Sequence, residues 1–199
     1  MFDQLRAHVG RLIDLTDEEF PFCTSVMVPK RVRKDAFLLQ EGEQARYMAF
    51  VTKGCLRAYT IDKKGHEHII QFAPEGWWIT DLYSFLTGRE ATYFIDALEE
   101  SDVLLIDAAS YEKLCATVPK FERYFRILLQ NNYIATHRRL VDTVTLTAEE
   151  RYTQMLQEFP NLARRVALRH IASYLGITPE ALSRIRNRIA KKGRPGPSR

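Results

Sequence analysis

The sequence predicts an α+β protein: an antiparallel β-roll of the jelly-roll type, then a long helix, then a C-terminal helix-turn-helix. Three observations carry that prediction. Residues 21–107 break into short β-prone runs separated by turn residues, the rhythm of a small double-sheet barrel. Residues 120–141 hold a helical pattern uninterrupted by glycine or proline. Residues 169–189 read as two short helices joined by a tight turn, and basic charge gathers around them. Three segments are expected: a β-roll over 1–118, a linking and dimerisation helix over 119–142, and a helix-turn-helix with a basic tail over 143–199.

Phe2, Leu5, Val9 and Leu12 fall on one helical face, so the chain should open with a short helix packed on the segment after it. The β-prone runs lie at 23–28, 36–40, 47–53, 55–61, 66–72, 77–79, 93–97 and 102–106. Glu41-Gly42-Glu43, Lys53-Gly54, Asp62-Lys63-Lys64-Gly65 and Pro74-Glu75-Gly76 break them, with the glycines read as turn residues because no nucleotide-loop pattern contains them. His66-Glu67-His68 sets two imidazoles on one face of a strand and resembles the metal motif of cupin enzymes. Completing such a site needs a third histidine from a later strand. The next one is His137, inside a predicted helix, so two exposed hairpin histidines are the preferred reading and no metal site is expected. Trp77, Trp78, Asp81, Tyr83 and Phe85 form an aromatic-rich strand end and loop, read mainly as core packing.

Residues 108–118 predict a short helix ending near Pro119. In the long helix Phe121, Tyr124, Phe125, Leu128, Leu129, Ile134 and Leu140 make an apolar stripe wider than a surface helix needs. Asn131 or Asn132 falls in the stripe in either heptad register, as a register-fixing asparagine does in a dimer seam. The stripe therefore predicts a homodimer. Thr147-Ala148-Glu149-Glu150 is a capping box opening the next helix, which Pro160 closes.

Ile171, Ala172 and Leu175 make the apolar stripe of the first helix of the C-terminal pair, and Gly176 stands where that helix must stop. Thr178 offers an N-cap hydroxyl, with Pro179 at the first helical position. In the second helix Leu182, Ile185 and Ile189 form the buried face. Glu180, Ser183, Arg184 and Asn187 form a wholly polar opposite face, flanked by Arg186 and Arg188. A helix anchored by its apolar side and showing Ser, Arg and Asn outward is what a helix-turn-helix presents to the major groove.

Charge supports that reading. From 164 to 199 there are ten basic residues against the single acid Glu180, a net of +9, whereas residues 1–163 carry −5. An acidic body with a basic end predicts binding of a polyanion through that end. The composition, 46% hydrophobic and 27% charged over 199 residues, is that of an ordinary globular chain with a real core. Cys23, Cys55 and Cys115 are odd in number, far apart and in no CxxC pair, which predicts reduced thiols in a cytoplasmic protein. No apolar run approaches a membrane span, no nucleophile–base pair is recognisable, and neither an enzyme nor a bound cofactor is expected. The low-complexity stretch 191–199 is expected to be disordered.

In this order of elements the chain resembles the Crp/Fnr superfamily of bacterial transcription regulators. In the roll the resemblance rests on Leu39, Gly42, Ala45, Tyr47, Phe50, Val51, Gly54, Gly65, Ile69, Ile70 and Gly76. In the DNA module it rests, more specifically, on Ile171, Gly176, Glu180, Leu182, Ser183, Arg184 and Ile185. It implies a cyclic-nucleotide-binding-type sensor, a dimer through the long helices and a palindromic double-stranded DNA site. The family's cyclic AMP site uses a Gly-Glu pair, an Arg-Ser pair and a threonine on the long helix. Here those positions read Thr80-Asp81 followed by Leu82, then Ala91-Thr92, and Thr136. The cation that would neutralise a cyclic phosphate is missing, so an effector other than cyclic AMP is implied, if there is one. The N-terminal cysteine cluster of the iron–sulfur branch is absent and no haem ligand set is recognisable. On the DNA side the resemblance assigns Thr178, Pro179, Glu180, Ser183, Arg184, Asn187 and Arg188. Pro179 replaces the family's leading arginine, and the usual β-hairpin wing does not follow Ile189. A ligand-binding or protein-interaction module with a decayed helix-turn-helix, and a cupin-like metalloprotein, are the alternatives.

Overall fold

The computed structural model describes residues 1–192, without the side chain of Lys192; the remainder of the expected low-complexity tail lies outside the described residues. The chain opens with helices α1 (Phe2–Val9) and α2 (Glu19–Ser25). Strands β1 (Val28–Val32), β2 (Phe37–Leu39), β3 (Tyr47–Lys53), β4 (Leu56–Ile61), β5 (Glu67–Ala73) and β6 (Trp78–Ile79) follow. Helix α3 (Leu82–Thr87) precedes β7 (Phe94–Ala97) and β8 (Ser101–Asp107), and the rest is helical: α4 (Ala108–Thr117), α5 (Lys120–Thr145), α6 (Ala148–Glu158), α7 (Leu162–Arg165), α8 (Leu168–Leu175) and α9 (Pro179–Lys192).

The strands form two four-stranded sheets, ordered β1-β8-β3-β6 and β2-β7-β4-β5, with antiparallel pairing throughout. This is the double-sheet roll expected from the spacing of the runs. Between the sheets lie Leu56, Ile79, Ile95, Val103 and Leu105, all buried, whereas Phe50, Leu104 and Ile106 face the helices. Strand β3 is buried from Met48 to Thr52 on both faces, because α1 covers its outer side. Tyr124 at the start of α5 accepts a hydrogen bond from Trp78 Nε1 at 2.8 Å and pairs with His8 Nδ1 of α1 at 2.8 Å. One buried hydroxyl thus ties the first helix, β6 and the long helix together.

Three stretches differ from expectation. The run at 23–28 is not a strand: 19–25 are helical, and the first strand starts at Val28. The physical reason lies upstream. Glu19 N–H donates to Thr16 Oγ1 while Glu19 Oε2 accepts from Thr16 N–H, a reciprocal cap that starts a helix and buries Phe20 and Cys23 on one side. The loop after Trp78 is likewise partly helical, because Asp81 caps α3 by accepting from Ser84 N–H at 3.0 Å. Helix α5 also runs a turn past 141, since nothing in the sequence interrupts it before the capping box at Thr147, which is present with both reciprocal bonds. Cys23, Cys55 and Cys115 are all buried and unpaired, and burial pushes the thiols of Cys23 and Cys55 up to about 12.

The turn from β3 into β4 depends on Gly54. Its φ is +90°, and a Cβ there would lie 2.7 Å from Ser101 Cα, against backbone that cannot move aside. Gly65, in the next hairpin, has φ +82° but open space around it. Gly65→Ala should therefore cost ~1–2 kcal/mol for the left-handed backbone alone, and Gly54→Ala clearly more, as read from urea-unfolding midpoints. Equal losses would show that contact with Ser101 does not constrain the turn.

Candidate nucleic-acid interface and effector pocket

The C-terminal pair is built from its apolar side. Helix α8 buries Ile171, Ala172 and Leu175. It ends at Gly176, whose φ of +68° lets Ile177 N–H donate back to Ala172 O at 3.0 Å. Thr178 Oγ1 then accepts from Ala181 N–H at 3.2 Å and opens α9. Leu182 and Ile185 of α9 are buried in one cluster with Ile171, Ala172, Leu175 and, from α6, Tyr152 and Met155. With those residues turned inward, Thr178, Pro179, Glu180, Ser183, Arg184, Asn187 and Arg188 are all exposed, as is Arg186. Among the described residues no strand follows α9.

Not all of the basic charge is available. Arg165 is held by Glu75 through two 2.8 Å bonds and by Glu99, both on the roll. Arg188 is bound to Glu149 of α6 at 3.1 Å. Arg164, Arg169, Arg184, Arg186 and Lys191 are exposed around the head. Glu180, at the start of α9, has its carboxyl held below the usual range by its own amide N–H and the Thr178 hydroxyl.

The second candidate site lies around α3. Asp81 is buried, and both its oxygens are taken: Oδ1 by Ser84 N–H, Oδ2 by Thr92 N–H at 2.8 Å and Thr92 Oγ1 at 3.0 Å. Ala91 is buried and fastened by backbone bonds from its N–H to Glu43 O and from Gly42 N–H to its own oxygen. Thr80 O accepts from the Tyr93 hydroxyl at 2.8 Å, and Leu82 packs against the roll core. The loop is thus closed by its own hydrogen bonds. Two of its N–H groups, those of Ser84 and Thr92, already hold the carboxylate of Asp81. Arg89, the nearest cation in sequence, points outward to the Tyr83 hydroxyl at 3.0 Å.

Residues 29–118 match the family of the cyclic nucleotide-binding domain. The chain is 27% identical over 180 residues to the regulatory protein HlyX of Actinobacillus pleuropneumoniae, covering 82% of this chain and 72% of that one. It is 28% identical over 178 residues to the fumarate and nitrate reduction regulatory protein of Vibrio cholerae, covering 81% and 68%. These similarities support a regulator of the Crp/Fnr type. Its fold is shared with FixK2 of Bradyrhizobium japonicum, at 23% identity and a TM-score of 0.74 over 84% of this chain and 86% of that one. The c-di-GMP responsive regulator CLP of Xanthomonas campestris is also similar, at 13% identity and a TM-score of 0.71, covering 89% and 93%.

Of the six positions that the Crp/Fnr resemblance assigns to an effector pocket, Thr80, Asp81, Leu82, Ala91 and Thr92 lie in one loop cluster. Thr136 does not join them through any side-chain bond: it is exposed on α5 and donates to Asn132 Oδ1 one turn away. His66 and His68 both turn to Asp62, whose Oδ2 lies 2.9 Å from His68 Nε2. Among the described residues no three His, Cys, Asp or Glu side chains gather as a metal site, and no helix is long and apolar enough to cross a membrane.

Reading the sequence missed Arg57, Asp96, Glu67, His170 and Ser173, which join the roll to the head. A signal existed for the first of them. Arg57 interrupts an otherwise apolar strand, Cys55-Leu56-Arg57-Ala58-Tyr59, and is buried there. A buried guanidinium demands carboxylates on the neighbouring strands.

Proposed function

We propose that this Crp/Fnr regulator binds a palindromic double-stranded DNA site as a cytoplasmic homodimer, reading bases with α9, and that its roll does not take cyclic AMP. The division is a β-roll to residue 118, a dimerising helix over 119–142 and a DNA-binding head from 143. The observation that carries the reading is the two-sided character of α9: Leu182 and Ile185 anchor it, and Glu180, Ser183, Arg184 and Asn187 stand clear of the protein. Arg184 supplies forked donors suited to a guanine edge, Asn187 and Ser183 read or position, and Arg186 with Thr178 meets phosphate. Arg188, paired with Glu149, reaches phosphate only by giving up that partner.

Leu129, Tyr133, Leu140, Val141 and Val144 are exposed along α5 from Leu129 onward, Val144 at 82%. Single exposed apolar residues are ordinary; a stripe of them over four turns is the mark of a partner helix. Parallel pairing of two such helices sets the heads for half-sites ~34–36 Å apart. Sedimentation of the intact protein should give twice 23.1 kDa, and Leu140→Glu combined with Val144→Glu should return it to the monomer. A monomeric native chain would remove the dimer from this reading.

Two further outcomes are expected. Calorimetric titration with cyclic AMP should show no saturable heat, because Asp81 fills the anion position and among the described residues no cation is paired with it; micromolar binding would contradict the closed pocket. Arg184→Ala should lower affinity for DNA selected from genomic fragments by ~1–3 kcal/mol while sparing non-specific binding. Unchanged selectivity in a gel-shift titration would take Arg184 off the reading surface.

A further inference from the structure

The head does not hang from α6 alone. Helix α8 lies along β5, the last strand of its sheet. Ser173 Oγ accepts from Ile69 N–H at 2.9 Å and donates to Glu67 O at 2.6 Å, so one side chain of the head completes the open edge of the roll. On the far side Arg165 clamps Glu75 and Glu99. Phe159 and Tyr174 pack on Trp77 and Phe72, with ring centroids 5.3 and 5.2 Å apart.

Arg57 stands in this seam, only 7% exposed, and engages all five of its N–H groups. Its Nε and Nη2 grip Asp96 at 2.7 and 2.9 Å, a forked pair. Nη1 and Nη2 reach the two oxygens of Glu67. The remaining N–H of Nη1 donates to Nδ1 of His170, on α8, at 2.9 Å. Strands β5 and β7 therefore supply four acceptors, and the head supplies the fifth. If the head lifted away, that donor would lose its protein partner at the one point where strand chemistry offers no substitute. His170 suits the role because an unprotonated imidazole can accept at Nδ1. Burial, then the cations Arg57 and Arg169, hold its pKa below the ordinary imidazole value, against the opposing pull of Glu67 and Asp96. A protonated Nδ1 could not accept.

We propose that His170 and Arg57 are positioning residues for DNA reading: their bond latches the helix-turn-helix onto the sensor with the reading face of α9 turned outward. Ser173 and Arg165 complete the latch. It rests on the DNA-binding reading above only for its consequence, not for its existence. A sensor that moves Glu67 or Asp96 shifts the guanidinium, and with it the acceptor on α8, so the roll controls the angle at which the head meets DNA. The long helix shares in the seam, since Arg139 donates to Ile70 O and its guanidinium lies 4.7 Å over the Tyr174 ring. The angle is thereby set against the dimer axis as well as against the roll.

The test uses the intact protein. His170→Leu removes the acceptor at similar volume, and His170→Gln restores one. Amide hydrogen exchange without DNA should rise about tenfold across 67–72 and 168–176 in His170→Leu, as expected for one buried hydrogen bond. Exchange in β3 and β8 should stay as in the native chain, and His170→Gln should stay near native throughout. In the same variants, DNA selected by the native protein should bind His170→Leu about tenfold more weakly, while an isolated half-site binds equally. Native-like exchange in His170→Leu would overturn the latch, as would global loosening that His170→Gln fails to rescue. Faster seam exchange with undiminished affinity for the full site would overturn its positioning role. If the native chain selects no DNA at all, the DNA-binding reading fails instead, and the exchange arm alone decides whether the latch exists.

Discussion

The outer face of strands β4 and β5 is apolar around the buried Arg57, and the molecule depends on covering it. Cys55, Tyr59, Ile69 and Phe72 form one buried cluster with Phe159, Leu162, Ile171, Leu175 and Leu182, so the roll and the head share a core. Each large side chain removed from water in such a seam contributes ~1.5–3 kcal/mol. The same cluster anchors α9 through Leu182 and Ile185. What holds the reading helix in shape is thus continuous with what holds the sensor to it. A helix-turn-helix built on a separate core would be free to swivel on its tether; this one is part of the wall of the roll.

Buried charge is handled consistently on both sides of that wall. Arg57 is matched by Asp96, Glu67 and His170, and Asp81 by two backbone amides and a hydroxyl. Neither is left without partners, which is the condition under which a buried ionic group can persist. The two sites differ in what they permit. Asp81 is satisfied entirely within its own loop, so the pocket needs nothing from outside. Arg57 is satisfied only when two parts of the chain meet. The net of +9 over the C-terminal segment also overstates what faces a polyanion, because Arg165 and Arg188 are already paired within the protein.

The architecture was legible in the sequence wherever local chemistry decides it. The runs from β3 to β8, the glycine turns, the capping box at Thr147 and the two helices around Gly176 all follow from short-range pattern. The capping box at Thr16 obeys the same rule as that at Thr147, since Thr16-Asp17-Glu18-Glu19 has the same spacing. The aromatic and β-branched residues after it carry a competing strand pattern that runs into the helix. The polar face of α9 was legible for the same reason as its apolar face: both repeat at helical spacing. The seam was not. Asp96 and His170 lie 39 and 113 positions from Arg57 along the chain, and their relation exists only after the sheet and head have packed. His170 in particular falls beside the apolar stripe of α8 and looks like any surface histidine until Arg57 is placed against it.

The three sulfurs have a consequence for the chemistry this protein can sense. Burial displaces the thiols of Cys23 and Cys55 to about 12 and that of Cys115 to about 11, so each is a far poorer source of thiolate at neutral pH than a free cysteine. Peroxide and disulfide exchange act through the thiolate. Burial therefore protects these sulfurs from oxidants that act through the thiolate.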